Sequence, residues 1–282
     1  MIRFQFISSC ILSGSFLCSA GIGHAQQKPA LVAYWAGYEN SNGSLPVPLN
    51  RTPPGVSCVN LAFGCPIGDS LTLKFLSSFY AEQQIYTWAQ GLRSRGQKVL
   101  MSIGDDDKAM WSNINKVTFA RNMADIVVKE WNLDGADINA ESNMPVDVYA
   151  ANFIELILEF RKALGPDKTL TYTCYTGSDQ DKEILQAAGH LLDGVNLMAY
   201  GDDEIGMVEL FHIYAAWIDP SKITIGVQPV TTPLGEVKEL ACWQPSGAKK
   251  RGMMLWNLNE DSPSFSYSNA IANNLNRTCG KN

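Results

Sequence analysis

Three polar side chains occupy alternate positions of one short segment: Asp137, Asn139 and Glu141, within residues 134–141. Successive side chains of an extended strand point to opposite faces, so these three share a face and the small or apolar residues between them take the other. Polar groups turned inward are costly to bury unless they bind something. Because Glu141 comes last, nearest the carboxyl end of the strand, its carboxyl group is positioned to meet a ligand. The segment therefore predicts the functional site of the chain.

The elements that position this segment form a repeating pattern of short apolar, β-rich runs separated by helical stretches. The predicted strands are Ala30–Trp35, Val59–Phe63, Lys98–Ile103, Gly135–Glu141, Thr169–Tyr175, Gly194–Tyr200, Ile223–Val227 and Gly252–Trp256. Helices are predicted near residues 80–96, 116–131, 146–164, 180–191, 205–218, 234–243 and 266–275. Strict alternation implies parallel strands with right-handed crossovers.

Eight such units are typical of a single closed (β/α)8 TIM barrel, in the α/β class. A doubly wound open sheet is the alternative, but the glycine-rich phosphate turn usual there is absent from the sequence. In such barrels the chemistry collects at the carboxyl ends of the strands, which is where Glu141 stands. Only 22 residues lie between Pro229 and Gly252, too few for a small α+β insertion domain, so we expect an open groove.

The run Asp134-Gly135-Ala136-Asp137-Ile138-Asn139-Ala140-Glu141 resembles the Asp-Gly-x-Asp-x-Asp-x-Glu signature of glycoside hydrolase family 18, which includes chitinases and endo-β-N-acetylglucosaminidases. Further segments that resemble the family's strands follow in order: Asn60-Leu61-Ala62-Phe63, Ser102-Ile103-Gly104, Met198-Ala199-Tyr200 and Gly252-Met253-Met254-Leu255-Trp256. The resemblance extends from Tyr34 to Trp256.

The resemblance implies a substrate-assisted retaining mechanism at a β-1,4 linkage next to N-acetylglucosamine, in which the sugar's own acetamido oxygen attacks the anomeric carbon. It implies that Glu141 is the acid and base, supported by Asp137, and that Tyr200 binds the acetamido carbonyl. Trp256 would form the floor under the sugar. Positions at strand ends add further candidate substrate contacts: Tyr34, Trp35, Met198, Asp202, Tyr175 and Gln228.

The sequence departs from the signature at Asn139, where the family has Asp. An amide oxygen still accepts a hydrogen bond but carries no charge, and losing one such group costs about 2–4 kcal/mol, or 10²–10³ in rate. Two interpretations stay open: an inactive or weakened lectin-like barrel, or an enzyme that uses Asn, as family 85 endo-β-N-acetylglucosaminidases do two residues before their catalytic Glu. Asp105 and Asp202 either line the cleft or are loop charges and helix N-caps.

Residues 1–25 read as a secretory signal peptide, followed by one catalytic domain over residues 26–282. No other long apolar run exists, so we expect a secreted or periplasmic protein without a membrane anchor.

Five cysteines remain after cleavage. Cys58 and Cys65 flank an extended strand and would lie roughly 23 Å apart, far beyond the ~6 Å of a disulfide. Cys242 and Cys279 are the pair to test.

Composition limits the partners. Hydrophobic residues make up 46% of the chain, charged residues 18%, and the net charge is −6. No basic run interleaved with aromatics is present, so we expect no nucleic-acid partner. The three histidines are scattered and no metal-site spacing occurs, so we expect neither a metal nor another cofactor. We expect a monomer that binds a GlcNAc-containing oligosaccharide or glycoprotein. The residues leave open whether that is chitin or an N-glycan core.

Overall fold

A computed structural model describes residues 29–39, 43–104, 111, 114–141, 146–277 and 279. Its strands are β1 (Ala30–Ala36), β2 (Cys58–Ile67), β3 (Ser70–Thr72), β4 (Lys98–Ile103), β5 (Gly135–Asn139), β6 (Thr169–Cys174), β7 (Gly194–Leu197), β8 (Ile223–Val227) and β9 (Gly252–Leu255). Apart from β3, they pair in parallel in the order β1-β9-β8-β7-β6-β5-β4-β2, and β2 pairs with β1 to close a barrel. The predicted TIM barrel is confirmed, and the open-sheet alternative is wrong.

The α-helices are α1 (Glu82–Ser94), α2 (Lys116–Ala124), α3 (Val146–Leu164), α4 (Asp179–Ala188), α5 (Glu204–Ala215), α6 (Leu234–Cys242), α7 (Leu258–Asp261) and α8 (Ser266–Asn274). A π-helix (Asp125–Glu130) continues α2, and single 3-10 turns occupy Leu49–Arg51, Gly189–Leu191 and Pro220–Lys222. Seven helices match the prediction closely. The sequence missed α7 and also β3, which folds back antiparallel onto β2.

Two apolar layers hold the barrel together. On β4, Val99, Met101 and Ile103 face outward into the main core under the helices, while Leu100 faces the barrel interior. The interior holds a smaller set that we call the inner cluster: Val32, Tyr34, Cys58, Ala62, Leu100 and Met254. This period-two alternation fixes which side chains of each strand can reach the barrel axis.

The segment between β8 and β9 contains α6 and loops, so the predicted absence of an α+β insertion domain is confirmed. No described helix is long and apolar enough to cross a membrane. The predicted signal peptide, residues 1–25, and Asp105 lie outside the described residues.

A disulfide joins Cys242, at the end of α6, to Cys279, with the two Cα atoms 5.3 Å apart. The pair named from the sequence is therefore confirmed. Cys58 and Cys65 form no disulfide with each other, as the strand between them requires.

Lys250 gives the fold a pH-dependent stability. Its side chain is 3% exposed, and its ammonium group donates to the carbonyls of Ala241 (3.1 Å) and Trp243. Burial lowers the pKa of Lys250 from 10.5 to about 7. Between these values the unfolded chain binds a proton that the folded chain does not, so the free energy of unfolding rises with pH. We expect an increase of about 2 kcal/mol from pH 7 to pH 9 on this account.

Urea unfolding of the wild type and of Lys250→Met at both pH values measures this increase, which the variant should lack. Lys249→Met is the matched control, because Lys249 is the exposed neighbour and its loss should leave the increase in place. An equal increase in Lys250→Met would contradict the assignment.

Candidate active site

Asp137 is the buried centre of the barrel interior. Its carboxylate is fully buried on β5 and accepts five hydrogen bonds from described side chains. The donors project inward from four other strands, β1, β4, β6 and β7. They are the hydroxyls of Tyr34 (2.8 Å), Ser102 (2.8 Å), Thr171 (2.5 Å) and Thr173 (2.9 Å), and Nδ2 of Asn196 (3.3 Å). A buried carboxylate needs such donors when no cation is beside it. The network therefore fixes the part of β5 that leads to Glu141.

Tyr34 belongs to this network. It is 1% exposed, and its hydroxyl oxygen lies 2.7 Å from the hydroxyl oxygen of Thr173, another member of the network. Burial first, and then the negative charge of Asp137, raise the pKa of Tyr34 well above its usual value, so its hydroxyl remains protonated. Its ring centroid lies 5.3 Å from that of Trp256, and the predicted contact of Tyr34 with substrate stays a prediction.

Trp35 takes the opposite face of β1. It is fully buried in the core between strands and helices, and its Nε1 donates to the Val47 carbonyl at 2.7 Å. The expectation that Trp35 contacts sugar is wrong. Adjacent strand residues point to opposite faces, so Tyr34 and Trp35 cannot both face the barrel mouth.

Asn139 and Glu141 follow Asp137 towards the mouth. Asn139 is 5% exposed, and no described residue hydrogen-bonds its amide. Glu141 lies two residues after the end of β5 and is half-buried. The backbone between them is held on both sides: the Ala140 N–H donates to the Thr173 carbonyl at 2.9 Å, and the Tyr149 hydroxyl donates to the Ala140 carbonyl. These bonds hold the backbone that carries both side chains at the carboxyl end of β5.

Tyr200 is electrostatically coupled to Glu141. Burial is the main cause that raises the pKa of Tyr200 far above its usual value, and the charge of Glu141 adds to it, followed by Tyr38 and Glu260. The Tyr200 hydroxyl therefore keeps its proton and can donate a hydrogen bond within reach of the charge of Glu141. The roles of these two groups towards a substrate stay predictions.

Trp256 begins a row of half-buried aromatic rings across the mouth, which we call the aromatic row: Trp256, Phe63, Tyr38 and Phe75. Trp256 stacks on Phe63 with centroids 5.8 Å apart and ring planes 20° apart. Phe63 and Tyr38 are 6.3 Å apart, and Tyr38 and Phe75 are 4.0 Å apart. Partly exposed rings of this kind offer flat apolar faces to a sugar.

The remaining candidates surround this mouth. Met198 is half-buried and packs on the inner cluster. Gln228 follows β8 and donates from Nε2 to both carboxylate oxygens of Glu260, at 3.2 and 3.1 Å. Tyr175 follows β6 and is 46% exposed. Asp202 is exposed, and the N-cap of α5 is its neighbour Asp203, which accepts from the Gly206 N–H at 2.9 Å.

Sequence reasoning missed several members of the site. Alternation along the strands indicates that Thr171, Thr173 and Asn196 face inward, but it does not indicate that they meet Asp137, because that depends on the register between strands. Glu260 lies on α7, a helix with no clear sequence signal. Within the described part of the chain, no group of three or more His, Cys, Asp or Glu could hold a metal ion.

The protein-family model for the TIM-barrel domain of endo-β-N-acetylglucosaminidase EndoS matches residues 72–255, well over half of the chain. Endo-β-N-acetylglucosaminidase F2 of Elizabethkingia meningoseptica is 26% identical in an alignment of 196 residues that covers 61% of this chain and 57% of that protein. The chain thus matches little more than half the length of that relative.

Solved structures show the same fold. A family 18 chitinase from Chromobacterium violaceum has a TM-score of 0.74 at 16% identity, covering 89% of this chain and 85% of that one. An endo-β-N-acetylglucosaminidase from Cordyceps militaris has a TM-score of 0.67 at 18% identity, covering 89% and 92%. Together with the matched model, these findings identify the chain as a member of glycoside hydrolase family 18, in the group of EndoS TIM-barrel domains.

Proposed function

We propose that this protein is an endo-β-N-acetylglucosaminidase that cleaves the β-1,4 bond between the two N-acetylglucosamine units of an N-glycan core. One observation carries the proposal: the charge of Glu141 acts on the protonated Tyr200, and Glu141 follows a strand that the buried Asp137 network holds in place. The match to the EndoS domain and the F2 relative support the glycan core over chitin.

In the first step, the Glu141 carboxyl group donates its proton to the glycosidic oxygen as the bond to the anomeric carbon breaks. The acetamido oxygen of the same sugar attacks that carbon from the other side, giving an oxazolinium ion. No protein nucleophile is used, which makes the reaction substrate-assisted and retaining. Glu141 is then a carboxylate that faces the cation.

In the second step, the Glu141 carboxylate removes a proton from a water molecule, whose oxygen attacks the anomeric carbon and opens the oxazolinium ring. The protonated Tyr200 hydroxyl donates to the acetamido oxygen, and the Asn139 amide oxygen accepts from the acetamido N–H. Both groups act by holding the acetamido group in line with the anomeric carbon. Trp256 supplies the apolar floor.

The short connection between β8 and β9 supports cleavage inside a branched glycan, because it contains no insertion domain that would narrow the mouth. A variant of the Cordyceps militaris enzyme has been crystallised with fucosyl-N-acetylglucosamine-Asn. We propose that this protein likewise leaves an N-acetylglucosamine on asparagine.

A lectin-like barrel is the second candidate, and Asn139 favours it. The amide brings no negative charge to an oxazolinium ion, so binding would survive where catalysis is weakened. The retained Glu141 favours the enzyme, because a pure binder needs no proton donor there.

We also propose that this protein is exported from the cytoplasm. The signal-like residues 1–25 support it, as does the Cys242–Cys279 disulfide, since disulfides persist mainly in oxidising compartments.

Mass spectrometry of products separates the candidates. The protein is incubated with a high-mannose glycoprotein and, separately, with chito-oligosaccharides. A released glycan that leaves one N-acetylglucosamine on the protein is the expected result. Cleavage of chito-oligosaccharides alone would mean a chitinase. Binding without products from either would mean a lectin.

The aromatic row predicts a dependence on substrate length. Phe75→Ala removes the ring farthest from Trp256 along the row, so we expect KM for a long glycan to rise about 2- to 10-fold with kcat unchanged. A truncated substrate, such as chitobiose carrying a chromogenic leaving group, should show no change. Initial-rate kinetics on both substrates measure the difference.

Phe79→Ala is the matched control, because Phe79 is 49% exposed and lies outside the row. Equal effects of the two variants, or an equal effect of Phe75→Ala on both substrates, would contradict a role of the row in binding.

A further inference from the structure

A pocket of about 510 Å³ opens on the amino-terminal face of the barrel. Its lining includes residues that begin a strand or directly precede one: Lys98, Thr169, Asp193 and Arg251, with Lys222 beside them. Glu141 follows the carboxyl end of β5, at the opposite face of the barrel. The proposed hydrolysis therefore gives this pocket no role.

The pocket has an excess of positive charge. Five cations line it against two carboxylates: Lys98, Arg161, Lys168, Lys222 and Arg251 against Asp167 and Asp193. Asp193 is already engaged by Arg161, with Nη2 and Oδ2 2.7 Å apart, and by the Leu170 N–H at 2.8 Å. The other four cations have no ion-pair partner among the described residues.

Arg251 carries buried donors that lack acceptors. Its Nε and Nη1 are buried and form no hydrogen bond with any described residue. The guanidinium lies against Gly194, where a Cβ would come within 1.8 Å of Nη1, so the cation can be held there only because residue 194 has no side chain. Leaving such donors unsatisfied is costly, and because Arg251 lines the pocket, an anion bound there would stabilise its buried positive charge.

The lysines are fixed in place and keep donors to spare. Lys222 Nζ donates to the carbonyls of Gly189 (3.1 Å) and Leu192 (2.7 Å), and Lys98 Nζ donates to the Thr169 hydroxyl (2.9 Å). An ammonium group has three donors, so each lysine retains at least one for a ligand. Their positions are set before any ligand arrives.

We propose that this pocket binds an oxyanion, a phosphate or sulfate group that is either free or carried by a sugar. Oxyanions accept strong charge-assisted hydrogen bonds from guanidinium and ammonium groups. A pocket of about 510 Å³ lies in the range of small-molecule sites, so it admits a charged monosaccharide as well as a bare ion.

Calorimetric titration and thermal unfolding of the purified protein test the proposal with three probes: sodium phosphate, sodium sulfate and N-acetylglucosamine 6-sulfate. Sodium chloride at matched ionic strength is the reference. We expect a saturable rise in Tm with at least one probe, and a Kd that Lys222→Gln weakens about tenfold or more. Lys98→Gln, at the exposed edge, is the second variant. Lys162→Gln, an exposed residue of α3 outside the pocket, should bind as the wild type does.

Binding of the inorganic ions would identify a free oxyanion as the ligand, and binding of the sulfated sugar alone would identify a sugar-borne one. Equal stabilisation by chloride, or affinities unchanged in both Lys222→Gln and Lys98→Gln, would overturn the proposal. The test needs no turnover, so its outcome is independent of the proposed hydrolysis.

Discussion

Glu141→Gln is expected to lower kcat on the scissile glycan by about 10²- to 10⁴-fold, the usual contribution of a positioned general acid and base. Glutamine keeps the size and hydrogen-bonding capacity of the side chain but cannot give up a proton to the glycosidic oxygen. Glu141 is half-buried at the end of β5, so the fold should tolerate the change. Substrate affinity, measured by calorimetry, should stay within a few-fold of the wild type.

Glu260→Gln is the matched control. The charge of Glu260 also raises the pKa of Tyr200, but the Glu260 carboxylate accepts hydrogen bonds from Gln228. We expect Glu260→Gln to keep most of the turnover. If Glu141→Gln hydrolyses at the wild-type rate, or if only Glu260→Gln is inactive, the acid–base assignment is wrong. Thermal unfolding of both variants shows whether a lost activity reflects a lost fold.

The fold could be predicted from the sequence because apolar residues recur at a different spacing in strands than in helices. Seven helices and eight strands follow from those periods, and Ile223–Val227 has the same bounds in both. The errors lie in short elements. The hairpin strand Ser70–Thr72 and the four-residue helix α7 are too brief to show a period.

The sequence predicted only those site residues that lie together on one strand segment. Asp137, Asn139 and Glu141 lie on one segment, so alternation alone aligned them. The donors to Asp137 come from four other strands, and their convergence depends on the barrel's register: Ser102 and Thr171 both stand opposite Asp137 on the neighbouring strands. The aromatic row could not be predicted either, because Tyr38 and Phe75 lie outside the regular strands.

Tyr34 and Trp35 show the limit from the other direction. Proximity to the end of β1 suggested both as sugar contacts. The alternation sends Tyr34 inward to Asp137 and Trp35 outward to Val47. Alternation turns Trp35 away from the barrel axis. Tyr34 does face the axis, but it is buried against Asp137. Position at a strand end is therefore not sufficient: the side chain must also lie above the buried network.

Asn139→Ala is expected to lower kcat by about 10²- to 10³-fold, as the loss of one group that binds the reacting centre does. The Asn139 amide has no hydrogen bond to any described residue and is 5% exposed, so its removal leaves no described donor unsatisfied. The free energy of unfolding should change little, because the loss is confined to a small buried side chain. Kinetics on the glycoprotein and urea unfolding of the same preparations separate these effects. An unchanged kcat would show that Asn139 does not touch the acetamido group.

Asn139→Asp tests whether the missing charge limits the enzyme. Aspartate has nearly the size of asparagine, so it fits the same position and adds the negative charge that the amide lacks. Its charge would stabilise the oxazolinium ion, and we expect kcat at or above the wild-type value. A kcat below the wild type would mean that the site is built around a neutral amide, whose N–H₂ and carbonyl both serve the substrate. In that case the departure from the family signature is a working feature of this enzyme, and the lectin interpretation loses its main support.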